Sequence, residues 1–105
     1  MTKEIVKLRQ RIDALDRKLV RLLGRRAQCS LEVGRAKRAA GQRLFSHARE
    51  RQIAENVRRA NRGPLPDRIL VEVYETLLRL TRRAVREVLR REERAGNSRT
   101  KKSRG

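Results

Sequence analysis

The chain has 105 residues, enough for one domain, and its 30 lysines and arginines against 12 acidic residues give a formal net charge of +18. With one Phe, one Tyr and no Trp, the core must be made from aliphatic side chains, which is typical of packed helices. A single cysteine, Cys29, excludes an internal disulfide. Together with the single histidine, it leaves no basis for a His/Cys metal site.

The sequence contains no segment typical of a membrane protein. No apolar run approaches the ~20 residues that cross a bilayer, and the N-terminus lacks the apolar stretch of a signal peptide. A lone thiol is compatible with a reducing compartment. We therefore expect a soluble, cytoplasmic protein that does not contact a membrane.

The clearest pattern predicts a long first helix over residues 4–40, where apolar residues recur at alternating steps of three and four. The stripe consists of Ile5, Leu8, Ile12, Leu15, Leu19, Leu22, Cys29, Val33, Ala36 and Ala40. Gly41 is a helix stop signal. At ~1.5 Å per residue this helix is roughly 55 Å long, whereas a compact monomer of this size has a radius of gyration near ~13 Å. A dimer built along the first helix is the simple solution.

Two further helices are predicted. Ser46 caps a second helix over residues 47–61, and a turn with both prolines follows at residues 61–66. Asp67 is expected to cap the third helix. The third helix has an apolar stripe of Leu70, Tyr74, Leu77, Thr81, Ala84 and Val88, widened by Ile69, Val73, Leu78, Val85 and Leu89. The sequence therefore predicts an all-α fold.

The apolar pattern ends at about residue 93. Residues 94–105 carry five positive charges, no negative charge and many small polar residues. Such a composition is typical of a disordered tail. We therefore predict a helical domain over residues 1–93 and a basic, disordered C-terminal tail over residues 94–105.

Arg26 stands where the heptad pattern of the first helix requires an apolar residue. A buried guanidinium without an anion costs several kcal/mol, so Arg26 either forms a structural ion pair, extends to solvent, or binds an anionic ligand. Lys37 projects from a similar face about three turns later. Arg49 and Glu50 border the apolar face of the second helix, and Thr81 interrupts the stripe of the third. These residues are the candidates for an internal anion site.

These positions form part of an ordered set that resembles a known family. The set comprises Arg9, Ile12-Asp13, Leu15-Asp16, Leu19, Leu22-Leu23, Arg26, Val33-Gly34, Lys37 and Arg49-Glu50, followed by the Gly63-Pro64-Leu65 turn and Tyr74. Over residues 4–89 the sequence resembles the all-helical chorismate mutases. The resemblance implies a three-helix protomer with one very long N-terminal helix, intertwined with a second copy in a homodimer.

The resemblance also implies an activity and roles for individual residues. The reaction is the Claisen rearrangement of chorismate to prephenate, an isomerisation on the route to phenylalanine and tyrosine that needs no metal or cofactor. By position, Arg26 and Arg49 would grip the substrate carboxylates, and Arg9 would reach in from the partner subunit. Lys37 would donate to the ether oxygen, and Glu50 would accept a hydrogen bond from the ring hydroxyl.

Three substrate-binding positions depart from the family pattern. Ser46 stands where many members have Asp, and Thr81 replaces a common Ser. Val85 stands where the family usually has a Gln, or sometimes a Glu, that hydrogen-bonds the ether oxygen together with the lysine, and valine has no donor. Losing one preorganised donor typically costs ~10²–10³ in rate. Three explanations are open: Lys37 alone donates to the ether oxygen, another group such as Arg82 or Arg86 reaches the site, or the protein is a weak mutase. We expect reduced activity.

Three other functions stay open. Isochorismate pyruvate lyases share the scaffold and bind a similar dianion, so the fold and the arginine clamp do not separate the two reactions. The charge of +18 would attract nucleic acid, although the sequence has no aromatics suited to base stacking and no recognisable DNA-binding motif, so we expect only non-specific attraction. The third is a regulatory or degenerate mutase domain in which Val85 marks lost catalysis.

Overall fold

The computed structural model describes the backbone of residues 2–104 and the side chains of residues 2–97. Three helices, α1 (Lys3–Ala39), α2 (His47–Ala60) and α3 (Asp67–Arg104), follow one another along the chain. Within the described residues there is no strand, so the predicted all-α, three-helix fold is confirmed. The molecule is elongated, with extents of 68 × 33 × 15 Å and a radius of gyration of 19.2 Å.

Local interactions define both ends of α1. At the N-terminus, Thr2 Oγ1 accepts a hydrogen bond from the Ile5 amide at 3.2 Å, which satisfies one of the free donors of the first turn. At the C-terminus, the Gly41 amide donates to the Arg38 carbonyl and the Gln42 amide to the Lys37 carbonyl. This is the pattern of a Schellman motif, which requires the positive φ of 69° that Gly41 adopts. The chain therefore turns sharply toward α2.

Side-chain hydrogen bonds also set the limits of α2 and the start of α3. Ser46 Oγ accepts from the Arg49 amide at 3.2 Å, which confirms Ser46 as the cap of α2. Asp67 is the first residue of α3 rather than its cap. Its Oδ1 accepts from Asn61 Nδ2 at 2.7 Å, so the carboxylate joins the two ends of the proline-containing turn.

The core lies along α3, which packs against both α1 and α2. Its buried hydrophobic side chains are Val57, Val71, Val85 and Leu89. Gly34 is the buried residue of α1. A Cβ atom at Gly34 would lie 3.0 Å from Val85 Cγ1 and 3.3 Å from Leu89 Cδ1. The absence of a side chain at Gly34 therefore allows the close approach of α1 and α3.

The apolar stripe of α1 is exposed over its N-terminal part. Ile12 is 53% exposed, Leu15 61% and Leu19 53%. A helix face of this kind needs a covering partner, because contiguous exposed apolar surface is uncommon in monomers. The exposure is compatible with the predicted intertwined homodimer, which stays a prediction.

The third helix is longer than the apolar pattern indicated. The sequence predicts a disordered tail over residues 94–105, whereas the backbone is helical through Arg104. No proline interrupts this segment, and its arginines, lysines and alanine favour helix. The division of the chain at residue 93 stays a prediction, and the side chains from residue 98 onward lie outside the described residues. Within the described part, no helix is long and apolar enough to span a membrane.

Candidate active site

A cavity of about 270 Å³ lies between the C-terminal half of α1, the start of α2 and the middle of α3. Six residues predicted from the sequence line it: Arg26, Lys37, Ser46, Arg49, Glu50 and Thr81. They come from all three helices and from the connection between α1 and α2. The structure therefore brings together most of the candidate anion site.

The cavity is strongly basic. Four of its lining side chains are cations, namely Arg26, Lys37, Arg49 and Arg82, and Glu50 is the one carboxylate among its described lining residues. Two or more cations in a half-enclosed space attract an anion with several carboxylates, because the partial exclusion of water strengthens each interaction. The charge of the cavity therefore fits a dicarboxylate rather than a neutral or cationic ligand.

Arg26 and Arg49 approach the cavity from α1 and α2. The Arg26 guanidinium lies over the ring of Tyr74, with its central carbon 5.9 Å from the ring centre. Arg49 Nη1 donates to Gln52 Oε1 at 2.7 Å on the same helix. These contacts hold each guanidinium in place without neutralising it, because neither partner is an anion. Both forks therefore keep their charge for a carboxylate ligand.

Lys37 is oriented by the connection between α1 and α2. Its Nζ donates to the Leu44 carbonyl at 3.3 Å, a contact that the Schellman turn makes possible by folding residues 41–45 back toward the helix. A lysine ammonium has three donors. One holds the side chain in position, and the others stay available to a ligand.

Glu50 and Arg82 form an ion pair across the cavity between α2 and α3. The central carbon of the Arg82 guanidinium lies 5.5 Å from the centre of the Phe45 ring. Phe45 itself lines the cavity and was not a sequence candidate. Its signal was that the only phenylalanine of the chain stands between two helices, next to the Ser46 cap.

Ser46 and Thr81 have different relations to the cavity. Ser46 uses its hydroxyl oxygen as the cap of α2, which fixes the first turn that carries Arg49 and Glu50. Thr81 lines the α3 side of the cavity, one residue before Arg82. The Ser46 hydroxyl therefore affects the cavity indirectly, by fixing the helix turn that carries Arg49 and Glu50.

Two predicted site residues do not line the cavity. Val85 is only 2% exposed and faces Gly34 in the contact between α1 and α3. Arg9 lies 17 residues before Arg26 on α1, roughly 25 Å along the helix axis. Arg9 is therefore too far from the cavity of its own chain to reach it, so its predicted role requires a second chain.

A cluster of ion pairs attaches the end of α1, which carries Lys37, to α3. Arg35 Nη2 lies 2.7 Å from Glu92 Oε1, and Arg38 Nη2 lies 3.2 Å from Glu92 Oε2. Arg38 Nη1 also donates to the Leu89 carbonyl at 3.1 Å. The hydrogen bond from Arg35 lowers the pKa of the Glu92 carboxyl, with further contributions from both arginine charges. The same pair raises the pKa of Arg35.

Comparison with known proteins identifies the family. The family model described as chorismate mutase type II matches residues 8–94. The chain belongs to this family. A bifunctional chorismate mutase/prephenate dehydratase of Aquifex aeolicus is 33% identical over 79 residues, which are 71% of this chain and 22% of that protein. An intracellular chorismate mutase of Mycobacterium tuberculosis is 40% identical over 52 residues, or 50% of each chain.

Solved chorismate mutase structures have the same fold. Form II of the Thermus thermophilus enzyme matches with a TM-score of 0.78 at 24% identity, covering 80% of this chain and 96% of that one. Form I matches with a TM-score of 0.73 at 25% identity, covering 75% and 99%. By contrast, the matched part of the chain spans about a fifth of the bifunctional relative and half of the mycobacterial one.

Proposed function

We propose that this protein is a chorismate mutase, which isomerises chorismate to prephenate on the route to phenylalanine and tyrosine. The observation that carries the proposal is the convergence of Arg26, Lys37, Arg49 and Glu50 on one cavity. These residues are the ones that the family resemblance assigns to substrate binding and catalysis. Because they come from two helices, their meeting depends on the fold and does not follow from sequence spacing alone.

The cavity has the groups that this reaction needs. The rearrangement is unimolecular, so an enzyme accelerates it by holding the compact, chair-like conformer and by stabilising charge on the ether oxygen. Arg26 and Arg49 would clamp the two carboxylates. Lys37 would donate to the ether oxygen as the C–O bond breaks, and Glu50 would accept a hydrogen bond from the ring hydroxyl.

We further propose that the active form is an intertwined homodimer in which Arg9 of each chain completes the site of the other. Two observations support this proposal. The apolar stripe of α1 is exposed over its N-terminal part, and Arg9 is distant from the cavity of its own chain. A second copy that covers the stripe would bring its own Arg9 next to the cavity of the first chain.

The compartment is also a proposal. The mycobacterial relatives are named intracellular chorismate mutases, and the free thiol of Cys29 is exposed, which is compatible with a reducing environment. We infer that the protein acts in the cytoplasm. Expression of a tagged chain in its host, followed by fractionation, tests this inference.

The decisive experiment follows the ultraviolet absorbance of chorismate in the presence of the purified protein. Prephenate is confirmed by its acid conversion to phenylpyruvate. Arg26→Ala is expected to abolish turnover, whereas Arg25→Ala, which changes an exposed neighbour on the same helix, is expected to preserve it. The matched pair excludes a contaminating host mutase, because a contaminant would be equally active in both preparations.

The lyase reaction is tested in the same preparation. Release of pyruvate from isochorismate, with no conversion of chorismate, would replace the proposed mutase by a lyase on the same scaffold. Equal inactivity of wild type and Arg26→Ala toward both substrates would reject both enzymes.

A further inference from the structure

The α3 side of the cavity presents a cation that the family resemblance did not assign. Arg82 follows Thr81 on α3 and lines the same cavity as Arg26, Lys37 and Arg49. Its side chain is 27% exposed, so it is partly withdrawn from solvent. It is the only charged residue that α3 contributes to the described lining of this cavity.

The Arg82 guanidinium is held from two sides. It forms an ion pair with Glu50 on α2, and its central carbon lies 5.5 Å from the centre of the Phe45 ring. Arg86 also stacks on Phe45, at 5.2 Å, but it lines a separate groove with Arg38 and Leu89. Of the two arginines that follow Thr81 by one and five positions, Arg82 is therefore the one at the cavity.

Arg82 has a donor without an acceptor. Its Nε atom is buried and makes no hydrogen bond to any of the described residues. Buried donors are nearly always paired in native proteins, because an unpaired one has lost its hydration without compensation. A guanidinium has five N–H donors, so one that is fixed by a carboxylate and a ring, with its Nε–H unpaired, keeps donors for a ligand oxygen in the cavity.

The rearrangement creates a need for such a donor. As the ether C–O bond breaks and the new C–C bond forms, negative charge develops on the ether oxygen, and no proton is transferred and no group leaves. Lys37 faces this oxygen from α1 in the proposed mechanism. On α3, Val85 has no donor and is buried against Gly34, which leaves the α3 side without the usual amide.

We propose that Arg82 is a catalytic residue that donates a hydrogen bond to the ether oxygen of chorismate from the α3 side, opposite Lys37. The inference rests on the proposed mutase function. Because a guanidinium is charged, it stabilises developing negative charge more strongly than a neutral amide. The Glu50 carboxylate fixes Arg82 while it accepts from the ring hydroxyl of the substrate.

Steady-state kinetics with chorismate test this proposal. Arg82→Ala is expected to lower kcat by ~10²–10³, with a much smaller change in KM, because the contact forms in the transition state. Arg82→Lys is expected to recover part of kcat, since it keeps a charged donor but loses the planar fork. The matched control is Arg83→Ala, which removes the neighbouring arginine, 77% exposed and paired with Glu87, and should leave kcat unchanged.

A double-mutant cycle separates direct donation from the positioning of Glu50. If Arg82 acted only by orienting Glu50, then Arg82→Ala would have no further effect in a Glu50→Gln background. The proposal expects a large further loss of kcat in that background. Circular dichroism of each variant confirms that it is folded, and Arg82→Lys serves as the test if Arg82→Ala is not.

The outcomes distinguish this inference from the proposed function. An inactive wild type would overturn both. An active wild type with unchanged kcat in Arg82→Ala, a loss confined to KM, or no further loss in the Glu50→Gln background would overturn the role of Arg82 alone.

Discussion

The two halves of α1 carry one continuous heptad pattern but have different surroundings. Over residues 3–23 the leucines and isoleucines of the stripe are largely exposed, with Leu15 at 61%. Over residues 24–39 the stripe is exposed as well, with Val33 at 53%, but Gly34, which lies outside the stripe, is buried against α3, and Arg26 and Lys37 line the cavity. The heptad repeat therefore predicts the apolar face of α1, but it does not predict that α3 packs beside that face in the C-terminal half only.

Because their surroundings differ, we expect the two halves of α1 to have separate roles. The C-terminal half builds the site within one chain, and the N-terminal half is available for a second chain. Substitutions of Arg26 and Lys37 in the C-terminal half should therefore change catalysis without changing the mass of the assembly. Substitutions in the N-terminal half should change the assembly first and catalysis as a consequence.

The largest effect is expected from Lys37→Ala in the C-terminal half. Removing the ammonium should lower kcat by ~10²–10³, or roughly 3–4 kcal/mol of transition-state stabilisation. Light scattering after size exclusion should give the same mass as wild type. An exposed lysine of the N-terminal half provides the control, because Lys18→Ala should leave kcat unchanged. Loss of the assembly in Lys37→Ala would contradict the separation of tasks.

Leu15→Asp tests the N-terminal half and is expected to have the next largest effect. Burying an aspartate in the proposed interface costs several kcal/mol unless it is paired, so the protein should become monomeric at micromolar concentration. Turnover should fall as well, since each site would lose the Arg9 of the other chain. Sedimentation equilibrium measures the mass.

The aspartate substitution has a matched control on the polar side of the same half. Arg17→Asp makes a larger change of charge at an exposed position two residues from both Leu15 and Leu19, on the opposite face of the helix, and should leave the assembly intact. If Leu15→Asp had the mass and activity of wild type, the stripe would not be the dimer interface.

Gly34→Ala tests the close contact between the C-terminal half and α3. The new Cβ would lie 3.0 Å from Val85 Cγ1, and overpacking of this kind costs about 1–3 kcal/mol. Better helix propensity returns up to about 1 kcal/mol, so the free energy of unfolding should fall by about 1 kcal/mol. Urea denaturation measures it.

The control for that substitution is Gly24→Ala. Apart from the adjacent residues and the backbone of its own helix, no atom of the described residues lies within 4 Å of a Cβ at Gly24, so the gain in helix propensity should stabilise the protein by up to about 1 kcal/mol. A matching gain in Gly34→Ala would show that α1 and α3 are not tightly packed at this point.

The sequence predicted the helices more completely than the site. Periodicity and caps placed α1 and α2 to within about a residue, because both ends of α1 and the start of α2 are defined by local hydrogen bonds. The family pattern supplied six of the polar and charged residues that line the cavity, but it assigned neither Arg82 nor Phe45. The role of Phe45 depends on how the connection between α1 and α2 folds, and helical periodicity does not predict that.

Two positions show why the roles of the other site residues depend on tertiary contacts. Val85 belongs to the apolar stripe of α3 and also to the family's donor position, and the structure places it against Gly34. Arg82 was one of several arginines on α3 that could reach the site. The ion pair with Glu50 and the stacking on Phe45 distinguish it from the others, and both partners lie more than thirty residues away along the chain.

The smallest effect is expected from Glu92→Gln, which removes the carboxylate that attaches α1 to α3. The two ion pairs are partly exposed, so the loss of stability at pH 7 should be modest and should shrink further in high salt.

The effect of Glu92 should also depend on pH. Because the folded-state pKa of Glu92 is lowered, its contribution to stability is fully present above the unfolded-state pKa and is lost as pH falls through the folded-state pKa. Thermal unfolding of wild type and Glu92→Gln should therefore differ at pH 7 and converge in acid. Glu93→Gln, at the exposed neighbouring position, should match wild type throughout, and a difference between wild type and Glu92→Gln that persisted in acid would mean that the carboxylate charge is not what holds α1 on α3.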